Sequence, residues 1–383
     1  MAKQAYVYSG TDWVPLASEV TNLSAYQTKA LNQFPYRNLL INGDMQVAQR
    51  STSVASITAS SYNTADRWRF SNSSTMGTWT QSVENDAPTG SGFRKSLKML
   101  VTTADASPAA GDYVFINQKL EGQNVQVIKK GTAAVEQLTA SFWVKSNVTG
   151  TYVLEIFDND NSRHTTKSYT INASGVWEYK TITFAADTTG ALDNDNASSL
   201  ELYFGLGAGS NYTSGSLATS WATYSAANEA PGQVNVASAT NNYWQITGVQ
   251  LEVGATATPF EFLPAQQELA QCQRYYYRIP AGESYQQFGV SYTNSTTAAQ
   301  GLIITPVTMR AVPSSMDTGG TISHFQFSNG ADYTISSIAI ASGQLGTNVV
   351  RFSGTVSGVT SGNPGWIRAN NSTSAYIGFS AEL

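Results

Sequence analysis

The chain has 383 residues, enough for about two to three domains, and 41% of them are hydrophobic, ample for real cores. Only 12% are charged, against roughly a quarter in ordinary soluble domains, so Ser, Thr, Asn, Gln and Gly replace charge on the surface. A net charge of -5 with no basic stripe argues against a nucleic-acid partner. No apolar run approaches the ~20 residues of a membrane span, so no membrane insertion is expected, and the single cysteine, Cys272, excludes an intramolecular disulfide.

The opening MAKQAYVYSG has no apolar h-region and no cleavage signature, so the expectation is a protein made in the cytoplasm without Sec export. Residues 1–17 read as a small hairpin: Tyr6 and Tyr8 alternate around Val7, Ser9-Gly10-Thr11-Asp12 supplies a turn, and Trp13-Val14 starts a second extended run. A lone hairpin is marginal in water. It is therefore expected either to attach to a partner through Tyr6, Tyr8 and Trp13 or to fold back on its own domain. Residues 18–36 read as a linker or short helix, with Val20, Leu23, Leu31 and Phe34 at helical spacing and Ser18 as N-cap.

Residues 37–262 carry strand candidates from Arg37–Ile41 and Arg67–Ser71 through Leu138–Lys145 and Glu178–Phe184 to Tyr243–Glu252. Turn clusters such as Asp158-Asn159-Asp160-Asn161 separate them. Many short strands with regular turns predict a jelly-roll β-sandwich rather than βαβ units. The polar stretch Gly207–Thr240 is longer than an ordinary connection, a length usually associated with function or disorder. Residues 263–278 form a connector with helical spacing, and residues 279–383 form a smaller C-terminal β-sandwich with a hairpin signal at Asn329-Gly330. The fold class is mainly β.

Catalysis finds little material. The two histidines, His164 in a predicted solvated loop and His324 in a predicted strand, fall in different domains, and with one cysteine no Cys–His pair is easily built. Asp158, Asp160, Asp193 and Asp195 lie in turn clusters, where bonding to local backbone explains them. Asp66 is expected in a structural ion pair beside Arg67 and Trp68. No catalytic residue is assigned and no enzymatic activity is expected. Aromatic residues are the better lead, because Trp and Tyr serve both as platforms for sugar faces and as interface anchors. Trp68, Trp143, Trp177 and Trp244 are read as core and Trp79 as ambiguous. Tyr212, Trp221 and Tyr224 in the long loop are the first candidates for a glycan site, and Trp366 after Gly362-Asn363-Pro364-Gly365 is the second. Arg274, Tyr275, Tyr276, Tyr277 and Arg278 are assigned to a joint between modules or subunits. Strand geometry would put Tyr275 and Tyr277 on one side of that joint.

Two brackets of the large domain resemble a known family. Asn38-Leu39-Leu40-Ile41-Asn42-Gly43-Asp44-Met45, followed by Asp66-Arg67-Trp68, looks like the opening of jelly rolls in bacteriophage virion proteins. Gly248-Val249-Gln250-Leu251-Glu252-Val253-Gly254, then Thr256–Glu261 and Cys272–Tyr276, is similar to their close. The Tyr6–Val14 motif and the final Ala381-Glu382-Leu383 also resemble pieces recurring at the ends of tail-fibre proteins. The resemblance implies a virion location and a fibre-like structural role. It further implies attachment to phage tail, neck or capsid proteins through the N-terminus, a homotrimer, and adsorption to host-surface glycan. A head or neck fibre, or a decoration protein without receptor specificity, is an alternative, and a glycan depolymerase a second one. The opening bracket also resembles carbohydrate-binding jelly rolls that hold a structural calcium. Asp44 would be one ligand, but Thr247-Gly248 stands where those modules carry Asp, so no cofactor is assigned.

Overall fold

The computed structural model describes residues 6–8, 13–15, 36–73, 75–341 and 346–383. The chain is mainly β, as its alternation predicts. At the N-terminus Tyr6–Tyr8 pairs antiparallel with Trp13–Pro15, with Tyr8 opposite Trp13. The turn between them and the predicted linker helix fall outside the described residues, Tyr36 apart.

Two antiparallel sheets make the large domain. One has seven strands in the order Ala222–Thr223, Arg163–Ile171, Gly150–Asp158, Ser198–Ala208, Tyr113–Glu121, Arg69–Asn72 and Ser61–Tyr62. The other has six, in the order Glu178–Phe184, Leu138–Ser146, Tyr243–Val253, Ser96–Thr103, Thr78–Glu84 and Ser53–Ile57. Alternate residues of both sheets, such as Phe142, Val144, Leu154, Ile156, Leu202 and Phe204, meet in one core with Trp68, Trp79 and Trp244. Trp79, ambiguous in sequence, is fully buried there.

The two sequence brackets hold each other. Arg37–Ile41, expected as a strand, is irregular, because its polar groups serve the last strand instead. Leu39 N–H donates to Leu251 O at 2.8 Å and Val249 N–H to Gly43 O at 2.9 Å. The Asn38 side chain accepts from Leu251 N–H at 3.0 Å and donates to Val249 O at 3.0 Å.

In the smaller C-terminal β unit, six strands close into a barrel in the order Gln287–Thr293, Ala298–Ile304, Val349–Val356, Asp332–Ile340, Phe325–Ser328 and Pro364–Ala369. A three-stranded sheet of Tyr276–Pro280, Tyr376–Ser380 and Ser315–Gly319 accompanies it. Closure removes the free edges that two short stacked sheets would leave. Gly301 and Gly365 make it possible, since a Cβ at either would overlap the buried rings of Phe352 and Phe327 that fill the barrel. The Asn329-Gly330 hairpin forms as predicted, with Ser328 opposite Asp332 and Gly330 at φ 105°.

The connector contains the helix Ala265–Gln273, whose Cys272 is buried. Beyond it the units are joined by polar bonds. Glu382 pairs with Arg67 and, at 3.2 Å, with Arg50. Arg310 donates to the carbonyls of Ala381, Glu382 and, across the joint, Asn196. Asp66 is not the partner of Arg67: its carboxylate accepts from Gln49 N–H at 3.0 Å, while Arg67 stacks over Tyr275 at 3.5 Å.

Candidate functional site

Period-two alternation in Leu138–Ser146 sends Leu138, Ala140, Phe142 and Val144 into the core and leaves Thr139, Ser141, Trp143 and Lys145 on the outer face. Trp143 and Trp177, read from sequence as core, are therefore half-buried surface aromatics. Tyr179 lies directly across from Trp143, with ring centroids 5.3 Å apart, and is 46% exposed. On its other side Trp143 pairs with Thr247, where the neighbouring strand bulges between Thr247 and Gln250.

Gly248 at that bulge has φ 62°, and any Cβ there would overlap the ring of Phe93. Glycine supplies both the left-handed backbone and the space. Phe93 packs on Phe260 at 5.0 Å and on the exposed Phe262 at 5.1 Å. Trp143, Tyr179 and these three phenylalanines line a groove of about 300 Å³ with Ser91, Ser141 and Pro259.

The same outer face then turns polar. Lys145 lies opposite Gln245, which lies opposite Lys98. Asp86 accepts from Lys145, from Trp177 Nε1–H at 3.3 Å and from Gln245 Nε2–H at 3.2 Å. Partial burial works against ionisation, but the hydrogen bonds from Lys145, Trp177 and Gln245 hold the Asp86 carboxyl below its usual value. The Lys145 ammonium sits 4.9 Å above the Trp177 ring. An aromatic floor beside a fixed set of donors and acceptors suits a ligand with both apolar C–H faces and hydroxyls.

The candidates read from sequence fall elsewhere. Tyr212 packs edge-on against Tyr113, and Trp221 donates its indole N–H to Ala185 O at 2.8 Å. Tyr224, 39% exposed, donates to Glu229 at 3.2 Å and packs on Phe157 and His164. These three pin the long loop to the domain. Trp366 is partly buried, pairs with Val290, and its buried indole N–H has no partner.

At the joint, Arg274 binds Glu121 at 2.8 and 2.6 Å, beside the Tyr275 hydroxyl. Arg278 anchors the carbonyls of Gln49 and Arg50 and stacks on Tyr376. Tyr275 and Tyr277 do not share a side. Tyr275 precedes the strand and reaches Glu121 and Arg67 of the large domain, whereas Tyr277 packs against the C-terminal core. Tyr276 donates to Asp317 at 2.9 Å.

At Asp44 one oxygen is buried without a hydrogen-bond partner and burial raises its pKa; among the described residues no group of three His, Cys, Asp or Glu side chains that could hold a metal ion occurs. Two histidines also differ from expectation. His164 is fully buried in the strand Arg163–Ile171, its Nδ1 2.7 Å from Glu155, and His324 ends a short 3₁₀ turn rather than lying in a strand. Asp158 does accept from the Asn161 backbone, as its turn position predicts, and additionally pairs with buried Lys130 at 2.6 Å.

No protein-family model matches the chain, and no curated protein matches it by sequence. Among solved structures it is similar to the enzymatically active domain of tailspike protein 4 of bacteriophage CBA120, at 16% identity and TM-score 0.31. That match covers 57% of this chain and 22% of the tailspike, so the chain spans about a fifth of its length. It is also similar to the module TmCBM61 in complex with β-1,4-galactotriose, at 10% identity and TM-score 0.29, over 57% of this chain and 99% of that one. A family 11 carbohydrate-binding module of a Clostridium thermocellum cellulosomal cellulase matches at 11% identity and TM-score 0.27, over 57% and 96%.

Proposed function

We propose that the chain is a non-enzymatic glycan-binding component of a phage virion, fibre-like, attached to the particle by its N-terminal hairpin and assembled as a homotrimer. The observation that carries the binding role is the open groove of Trp143, Tyr179, Phe93, Phe260 and Phe262 beside Asp86, Lys145 and Gln245. The virion role is supported by the opening and closing sequence brackets, which clasp each other around one domain. Trimer assembly is supported by exposed apolar residues on adjacent barrel strands, Val290, Leu302 and Ile304, the first and last 74% and 76% exposed. Several copies would multiply a weak site, by roughly 10²–10⁴ when geometry permits.

The purified protein should bind bacterial surface polysaccharides or lipopolysaccharides on an array without shortening them. Trp143→Ala should weaken that binding sharply while leaving the fold intact. Failure of every glycan to bind, or shortening of a bound one, overturns the reading. Light scattering checks the assembly, where a monodisperse monomer near 41.0 kDa would sink the trimer.

A further inference from the structure

The outer face of the seven-stranded sheet carries a different chemistry. Cross-strand register brings Asn117, Tyr203, Glu155 and Thr166 into one row and Lys119, Glu201, Phe157 and His164 into the next. Glu155 and His164 are 3% and 0% exposed, because the long loop between Ala208 and Tyr243 lies over them. From that loop Glu229, itself 8% exposed, presents its carboxyl to Glu155.

The hydrogen bonds fix where the protons sit. Ser225 N–H points to His164 Nε2 at 3.4 Å, so Nδ1 carries the ring proton and donates to Glu155. The Tyr224 hydroxyl donates to Glu229. Two carboxyls in contact under a loop cannot both ionise at ordinary cost, and a proton retained on Glu229 closes the chain to the Glu155 carboxylate.

We propose that this loop is a proton-operated cover: the proton shared by Glu155 and Glu229 pins segment 222–230 onto the sheet, and its loss to solvent releases that segment. The released pair carries two negative charges in a site that offers little to neutralise them. Glu201 also faces the pair from the sheet, but its own partners are Tyr203, Asn117, Ser198 and Lys119. Arg163 at the edge is held by Asp187 at 2.9 Å. Tyr212 and Tyr224 complete the loop side.

Burial raises both glutamates above their ordinary values; the hydrogen bond from Glu229 partly offsets this at Glu155, where Glu201 adds a little, whereas at Glu229 the charge of Glu155 adds to it. The closed cover therefore binds more protons than the open one. Its stability is full below the ordinary carboxyl range and is lost as pH rises through the raised values. Burial lowers the pKa of His164, so acid below the ordinary imidazole range works the other way. Above the ordinary imidazole range and below that of tyrosine, the two glutamates are the groups of this cluster whose protonation changes most.

Hydrogen–deuterium exchange of the full chain from pH 6.5 to 9.5, corrected for intrinsic exchange, tests this. Protection of segment 222–230 should fall about tenfold per pH unit while one proton is being lost, with segment 332–340 of the barrel unchanged. In Glu229→Gln, whose amide donates to Glu155 and carries no charge, the fall should vanish. In Tyr224→Phe, which loses a donor to the ionised Glu229, it should move to higher pH. A flat wild-type profile, the same fall in Glu229→Gln, or a fall shared by the barrel would overturn the proposal. If Glu229→Gln does not fold, the Tyr224→Phe shift decides alone, and an unshifted profile counts against it.

Discussion

The two outer faces of the same sandwich have opposite fates. On the six-stranded sheet, the bulge at Gly248 and the shorter connections that carry Phe93, Phe260 and Phe262 leave Trp143 and Tyr179 facing an open groove. On the seven-stranded sheet, a long loop covers aromatic and acidic residues of comparable chemistry, leaving Phe115, Glu155 and Glu201 almost fully buried. Strand residues alone do not decide which face meets ligand. The length and polarity of the connections decide it, because a loop that satisfies its own backbone groups against a sheet turns that face into interior.

This contrast breaks most sharply at Gly248. Gly248→Val forces a Cβ into Phe93 at a positive φ and should cost about 3 kcal/mol in denaturant unfolding while also closing the groove. On the covered side, Trp221→Ala removes a packed indole and its bond to Ala185. It should cost about 2 kcal/mol of stability with glycan affinity unchanged. The reciprocal outcome is expected for Trp143→Ala, where affinity falls by about 2 kcal/mol in a calorimetric titration and stability hardly moves. A variant pair that showed the same pattern at Trp143 and Trp221 would erase the distinction between the faces.

The smallest effect belongs to Asp86. Asp86→Asn should weaken binding a few-fold by loosening Lys145 and Gln245. Because the folded-state pKa of Asp86 is depressed, the wild-type contribution is present above the ordinary carboxyl value and disappears as pH falls through the depressed one. Binding profiles of wild type and Asp86→Asn should therefore converge in acid.

Much of the architecture was legible. Glu178–Phe184 and Val349–Val356 alternate cleanly and form strands with those bounds. The groove was half-visible as well. The alternation that buries Phe142 and Val144 puts Trp143 with Ser141 and Lys145, yet a tryptophan in a strand reads as core by composition. What alternation could not supply was pairing between strands distant in sequence. Tyr179 and Phe93 reach the groove only through the sheet order, and His164 looks solvated until Glu229 from the covering loop is placed against its neighbour Glu155. Barrel closure was hidden for a related reason. Gly301 and Gly365 look like turn or breaker residues until Phe352 and Phe327 occupy the space above them.

The joint between the two units has a mechanical meaning. Arg67 and Arg50 grip Glu382, Arg278 grips the carbonyls of Gln49 and Arg50, Gln49 reaches Tyr276 O, and Arg310 and Asn196 exchange bonds. These contacts attach several sequence-distant segments on each side, so no single rotatable linkage separates sandwich from barrel. A torque applied to the barrel would reach the aromatic groove through several bonds in parallel rather than through one.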